Sequence, residues 1–206
     1  MSFVDLSVKL DEFTPVYPGD PETSIKPAGV LSRDGFCDHL ISVGTHVGTH
    51  IDAPMHMLQN AKSIDSFSLD KLIGKGQVIN ISSSDYSEVL ASDLEQGGIL
   101  LLHSGRIKDY HDATYFTDYP VMSEQVIEYI ISKKPMMVGI DACSFDKDDK
   151  FPVHKKLLSS EILLIENLAN LDKLFQKEFR VYAIPLKLTV DASPARVFAE
   201  VHDEAV

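Results

Sequence analysis

Four short segments do most to limit what this chain can fold into. GKGQVINIS at 74–82 and GGILLLHS at 97–104 are entered through glycine, while PMMVGIDA at 135–142 and EILLIENL at 161–168 have apolar centres. Runs this short, bounded by turn formers, read as strands, and the last two as buried ones. Phe3 to Leu10 alternates apolar and polar residues as a half-buried strand does. Residues 39–53 are rich in β-branched side chains, and 180–190 and 195–201 continue the strand pattern. Between them TPVYPGDPE at 14–22 is turn chemistry. SEQVIEYIISKK at 123–134 predicts an amphipathic helix capped by Ser123, with Val126, Ile127, Ile130 and Ile131 on its apolar side. Strands outnumber helices, which predicts one mixed α/β domain over residues 1–206. Periodicity does not give its topology.

With 206 residues, 44% of them apolar, the chain can bury a sizeable core. Nineteen Lys and Arg against 31 Asp and Glu leave a net charge of −12. Such a chain repels phosphate backbones and anionic lipid, and its basic residues are scattered, so neither nucleic acid nor a membrane surface is expected as a partner. No apolar run approaches the ~20 residues of a membrane-crossing helix, and the start of the chain lacks a signal-peptide core. A cytoplasmic protein is expected. Cys37 and Cys143 form no CxxC pair, and the expectation is two buried thiols rather than a disulfide.

The chemistry concentrates in GTHVGTHIDAPMHM at 44–57, which holds three of the chain's eight histidines. His46 and His50 are four apart, but Gly44, Gly48 and Pro54 argue against a helix. At a period of two, His46, His50, Asp52 and His56 share one face, opposite Val47, Ile51, Ala53 and Met55. A straight strand would put His46 and Asp52 roughly 20 Å apart, so the chain must bend, with Gly48 and Pro54 as the places to do so. Gly48 would also clear space for an approaching ion or substrate. Imidazole nitrogens with a carboxylate suit Zn²⁺, and Mn²⁺ or Fe²⁺ less exclusively. A histidine cluster satisfied by structural hydrogen bonds is the alternative on pattern alone.

HVGTHIDAPMH at 46–56 resembles the His-x-Gly-Thr-His-x-Asp-x-Pro-x-His signature of the cyclase family of metal-dependent hydrolases, which includes kynurenine formamidases and isatin hydrolases. YPGD at 17–20, GIDACSFD at 139–146, HKKLLSSEILLIENL at 154–168 and IPLKLTVDASP at 184–194 resemble the family's other blocks, in order. The resemblance implies a swivelling β/β/α-type fold. It implies His46, His50, Asp52, His154 and Glu166 as ligands of one or two Zn²⁺ or Mn²⁺ ions, and His56 as the catalytic acid/base or a further ligand. Spacing alone would leave His154, before a Lys-Lys pair, on the surface, and Glu166 as an ordinary strand-end residue. The resemblance also implies a homodimer or homotetramer.

The activity so implied is hydrolysis of a small-molecule amide, an aryl formamide such as N-formylkynurenine. A cyclic amide such as isatin is the alternative, and a non-catalytic metal-binding scaffold, which has no use for His56, is a third. Where the family's formamidases carry Trp to line the pocket, Tyr17 stands here, and it can still stack on an aromatic ring. LLHSG at 101–105 departs from the family pattern and makes His103 a pocket group or a plain strand-end histidine. With ordinary histidine pKa values, metal should leave as pH falls through ~6.

Overall fold

The computed structural model describes residues 1–81 and 85–202. Among the described residues ten strands are formed: β1 (Ser2–Asp5), β2 (Ser24–Gly29), β3 (Asp38–Ser42), β4 (His50–Asp52), β5 (Ile73–Asn80), β6 (Ile99–His103), β7 (Met137–Ile140), β8 (Leu163–Glu166), β9 (Glu178–Pro185) and β10 (Ala192–His202). The helices are α1 (Leu31–Asp34), α2 (Leu69–Leu72), α3 (Ser87–Ala91), α4 (Glu124–Lys133) and α5 (Pro152–Ser159). No helix among the described residues is long and apolar enough to cross a membrane.

Strands lie in the order β10-β4-β8-β7-β6-β5-β9, and β9 pairs again with β10, closing a mixed seven-stranded barrel. The run from β5 to β8 is parallel, and the remaining pairs are antiparallel. β1 adds to the outside edge of β10, and β2 and β3 form a separate hairpin. Closure removes the unpaired edges that an open sheet would present.

The apolar strand centres are buried on both faces. Ile99 and Leu101 of β6, Met137 of β7 and Leu163 and Ile165 of β8 pack with Phe179, Val181 and Val197 in one cluster. The alternate residues Leu100, Leu102, Val138, Ile140 and Leu164 pack with Val126, Ile127 and Ile130 of α4 and Leu157 of α5 in another. Gly76 shows why glycine stands within β5: a Cβ there would stand 2.0 Å from the Phe179 ring. The helix predicted at 123–134 forms as α4, and Ser123 Oγ accepts from Val126 N–H at 3.4 Å.

Several expectations need correction. Residues 39–53 are not one strand. β3 ends at Ser42 and residues 43–49 turn into β4, with Gly48 at a left-handed φ of +65° just before it. The absent Cβ of Gly48 faces Val8, Leu10 and Thr14, so this glycine serves the turn and clears no path to the site. β1 stops at Asp5, and β9 stops at Pro185, after which tight turns carry residues 186–191. Ser82, the end of the predicted 74–82 strand, lies outside the described residues. Helix α5 was not anticipated. Its entry depends on Phe151–Pro152 and on a carboxylate from Asp146, distant enough in sequence to escape a capping pattern. Cys143 is buried as expected, but Cys37 is exposed, on the turn into β3.

Candidate metal centre and substrate pocket

β4 and β8 pair so that His50 faces Glu166 and Asp52 faces Leu164. Ile51 points to the apolar cluster of the other face, so the period of two holds over these three residues. His154 enters from the first turn of α5. His50, Asp52, Glu166 and His154 are 1%, 0%, 5% and 3% exposed, which makes His154 a core residue rather than the surface histidine its Lys-Lys neighbours suggest. His50 Nε2 lies 3.4 Å from Asp52 Oδ1 and 3.4 Å from Glu166 Oε2. His154 Nε2 lies 3.2 Å from Glu166 Oε1 and 3.6 Å from Asp52 Oδ2.

The protein fixes which nitrogen of each ring faces inward. His50 Nδ1 donates to Gly48 O at 2.9 Å, and the Asn167 amide donates to the same carbonyl, also at 2.9 Å. His154 Nδ1 donates to Asp146 Oδ2 at 2.7 Å. Asp146 accepts in addition from Val153 N–H and His154 N–H, at 3.0 and 2.9 Å, and so caps α5 while orienting its histidine. Both rings therefore turn Nε2, a lone-pair atom when neutral, toward carboxylates.

His46 and His56 stand on turns before and after β4, and their rings are 4.0 Å apart. His46 Nδ1 is 2.9 Å from Asp52 Oδ1, and its Nε2 is 2.8 Å from Asp191 Oδ2. The same Asp191 oxygen lies 3.4 Å from His56 Nδ1. Sequence reasoning missed Asp191, Asp146 and Asn167 as site residues. Each lies within a segment that resembles a family block, but its partners are 145, 8 and 119 residues away.

The donor set fits a metal. His50 Nε2 and both oxygens of Asp52 are buried without a hydrogen bond, because the neighbouring groups within ion-pair range do not meet hydrogen-bond geometry. Acceptor atoms collected in this way need protons or a cation among them. His46, Asp52 and His56 can share one ion, and His50, Asp52 and Glu166 another, with Asp52 common to both sets. His154 completes the second set through its contacts to Glu166 and Asp52.

Titration follows from this crowding. Burial works to lower the His46 pKa, but Asp52 and Asp191 overcome it and raise it to about 10. Burial likewise opposes protonation of His50 and His154, and the carboxylates around them again prevail. Burial pushes Asp52 and Glu166 upward, and the facing histidines hold both below the usual carboxylate range. His56 differs. Its burial outweighs the nearby carboxylates and lowers its pKa, so the ring is neutral at pH 7.

A cavity of about 370 Å³ opens onto His46, His56, His154 and Glu166, with Tyr17, Asp20, Met57, Cys143, Ser144 and Phe151 in its wall. Tyr17 is 40% exposed and meets Phe116 edge-on at 5.9 Å, which places it at the mouth. His103 does not line it. It ends β6 beside Asn80, with Nδ1 3.0 Å from Asn80 Oδ1. Ser104 is occupied with Asp141, at 2.7 Å. A second cavity of about 390 Å³ is walled by Val8, Leu10, Val47, Ile184 and Leu186. Its titratable side chain, Arg196, is tied to Asp5, so the chemistry belongs to the first.

Known proteins resemble this chain in sequence and in fold. An uncharacterized protein of Methanocaldococcus jannaschii is 37% identical over 97% of this chain and 99% of its own length. A kynurenine formamidase of Geobacillus thermodenitrificans is 30% identical over 94% and 95% of the two chains. Among solved structures, a potential metal-dependent hydrolase with cyclase activity superposes with a TM-score of 0.80 at 26% identity, covering 96% of both chains. An isatin hydrolase shares the fold, with a TM-score of 0.84 at 24% identity over 96% of this chain and 91% of that one. Residues 4–147 match the Cyclase family model, and with it the chain belongs to the cyclase family of metal-dependent hydrolases.

Proposed function

We propose that this protein hydrolyses a small-molecule amide, an aryl formamide such as N-formylkynurenine, using Zn²⁺ or Mn²⁺ held by His46, His50, Asp52, His154 and Glu166. The observation that carries the reading is the set of buried, unbonded Asp52 oxygens and His50 Nε2, packed against His46, His154 and Glu166, which line an open pocket. A relative named kynurenine formamidase, matched over nearly the full length of both chains, supports the substrate class. A bound divalent ion supplies Lewis acidity, lowering the pKa of a water and polarising the scissile carbonyl.

The remaining work falls to the chain. His56 is neutral at pH 7 and can take a proton from the attacking water. Asp191, beside Nδ1, favours the tautomer with its proton on that nitrogen, leaving Nε2 as the base. The same imidazole then returns the proton to the leaving nitrogen, a step amide cleavage requires. Tyr17 at the mouth offers a ring for an aryl group to stack on. Asp146 and the Gly48 carbonyl keep His154 and His50 aimed, so the site is ordered before substrate arrives.

The test is hydrolysis of N-formylkynurenine and of isatin by protein loaded with Zn²⁺ or Mn²⁺, with the metal-free protein as control. Metal-dependent release of formate supports the reading. Turnover of isatin alone replaces it with cyclic-amide hydrolysis, and no turnover of either by metal-loaded protein leaves the scaffold role. The reading includes self-association as a homodimer or homotetramer. Its support is the β2–β3 hairpin, where Leu40 and Ile41, with Phe36 beside them, are more than half exposed. A monomeric mass by light scattering removes that part.

A further inference from the structure

Phe151 is the residue whose backbone is most at odds with its side chain. It holds φ +49° and ψ +55°, in the left-handed region, immediately before Pro152. A bulky residue is an outlier there, and a following proline narrows its choices further. The other non-glycine residues with positive φ among the described residues are Asn, Lys, Glu and Gln. The turn itself is closed by main-chain bonds, Phe151 N–H to Asp148 O at 2.9 Å and Lys155 N–H to Phe151 O at 3.1 Å. Neither bond needs an aromatic, and Asn would occupy the same conformation at lower cost.

What phenylalanine adds is its ring. The ring lines the cavity and stands edge-on to His154, with centroids 6.0 Å apart and planes at 90°. His154 already packs against the buried ring of Phe145, also at 6.0 Å. Core packing of His154 is thus supplied without Phe151, which is only half buried and keeps part of its ring toward the cavity. Asp146 takes N–H bonds from Val153 and His154, so the turn carrying Phe151 and the inward-facing histidine are fixed to one carboxylate.

We propose that Phe151 is the specificity-determining wall of the pocket, holding the aromatic ring of the substrate beside His154 and selecting aryl over aliphatic amides. This rests on the amide-hydrolase reading and names the part of the pocket that reads the amine side of the amide, which leaves as the arylamine. An aromatic contact of this kind is worth about a tenfold preference. Strain kept at a pocket residue, where a cheaper residue would close the turn, is the expected mark of such a role.

The experiment compares Phe151→Asn, which tolerates the left-handed turn, and Phe151→Tyr, which keeps a ring, with the wild-type protein. Formanilide and N-cyclohexylformamide serve as aryl and aliphatic substrates of similar size. The ratio of their kcat/KM values should fall about tenfold in Phe151→Asn, mainly through the formanilide KM, and recover in Phe151→Tyr. Binding of the arylamine kynurenine, measured by titration calorimetry on the metal-loaded proteins, should weaken by about the same factor. An unchanged ratio together with unchanged kynurenine affinity overturns the proposal while leaving amide hydrolysis intact. Kynurenine binding that depends on Phe151 in a protein without formamide turnover does the reverse: the wall stands and the amide reading fails. Absence of both turnover and Phe151-dependent binding removes both.

Discussion

His50 and Glu166 face each other across a strand pair, whereas His46 and His56 sit on turns at either end of β4. The strand-borne pair is 1% and 6% exposed at the side chains, and its spacing is set by backbone hydrogen bonds. The turn-borne histidines are each 23% exposed, and Asp191, which touches both, is 35% exposed. Their positions depend on side-chain contacts. A ladder fixes geometry more tightly than a turn does, so one half suits a permanently held ion and the other suits groups that change protonation or partners during a reaction.

Asp52 belongs to both halves, and its replacement is the harshest test of the contrast. Asp52→Asn should abolish metal retention through gel filtration and lower kcat/KM by on the order of 10³-fold or more. Full metal content with near-normal turnover would sink the assignment of Asp52. His56→Ala should keep its metal while kcat falls by about 10²- to 10⁴-fold. If metal and activity disappear together, His56 is a ligand alongside His46 and Asp52, and the contrast between the halves weakens.

Asp146→Asn acts on α5 alone. It removes the negative charge and one of the two acceptor oxygens, so that His154 Nδ1 and the amides of Val153 and His154 must compete for the one that remains, and metal affinity should drop by about 10- to 100-fold in a competition titration. An unaltered affinity would show that the capping bonds, and not the carboxylate's charge, orient the ring.

The smallest effect is on pH dependence. In the metal-free protein the folded pKa of His46, about 10, lies above its unfolded value, ~6.5. The stability it contributes is fully present below ~6.5 and is lost as pH rises through about 10. The Tm of metal-free protein should therefore fall by a few degrees between pH 7 and 10, while the loaded protein, with His46 deprotonated on an ion, should not follow. A rising Tm over that interval would contradict the assignment. The same shift makes protons compete with metal well above the pH of ~6 expected from an unperturbed histidine.

How much of this was legible in the sequence differs by residue. The alternation at His50, Ile51 and Asp52 was readable because β4 is a true strand with one apolar and one polar face. The single strand expected over 39–53 is instead two, β3 and β4, because a turn at 43–49 that ends in a left-handed glycine interrupts the run of β-branched residues. His154 and Glu166 carry no local signal: one looks like surface and the other like a strand end, and resemblance to the family's blocks supplied both. Barrel closure rests on β9 meeting β10 and β5 at once, a pairing no periodicity encodes. Asp191 and Asp146 were within reach, being carboxylates inside segments already singled out, but what they touch depends on turns. The same holds for Phe151, whose place in the pocket follows from a backbone conformation its residue type disfavours.

The closed barrel also sets a timetable. β4 carries the signature histidine and aspartate, yet its two neighbours in the sheet, β8 and β10, follow only late in the chain. The bond from Asn167 to Gly48 spans 119 positions, and the contact between His46 and Asp191 spans 145. Contacts this distant cannot form while the ribosome is still making the middle of the protein, and they slow folding because a long loop must be closed first. The nascent chain would thus display its histidine-rich segment well before it has a cage for an ion. Metal selectivity can be exercised only once β8 and β10 have been made.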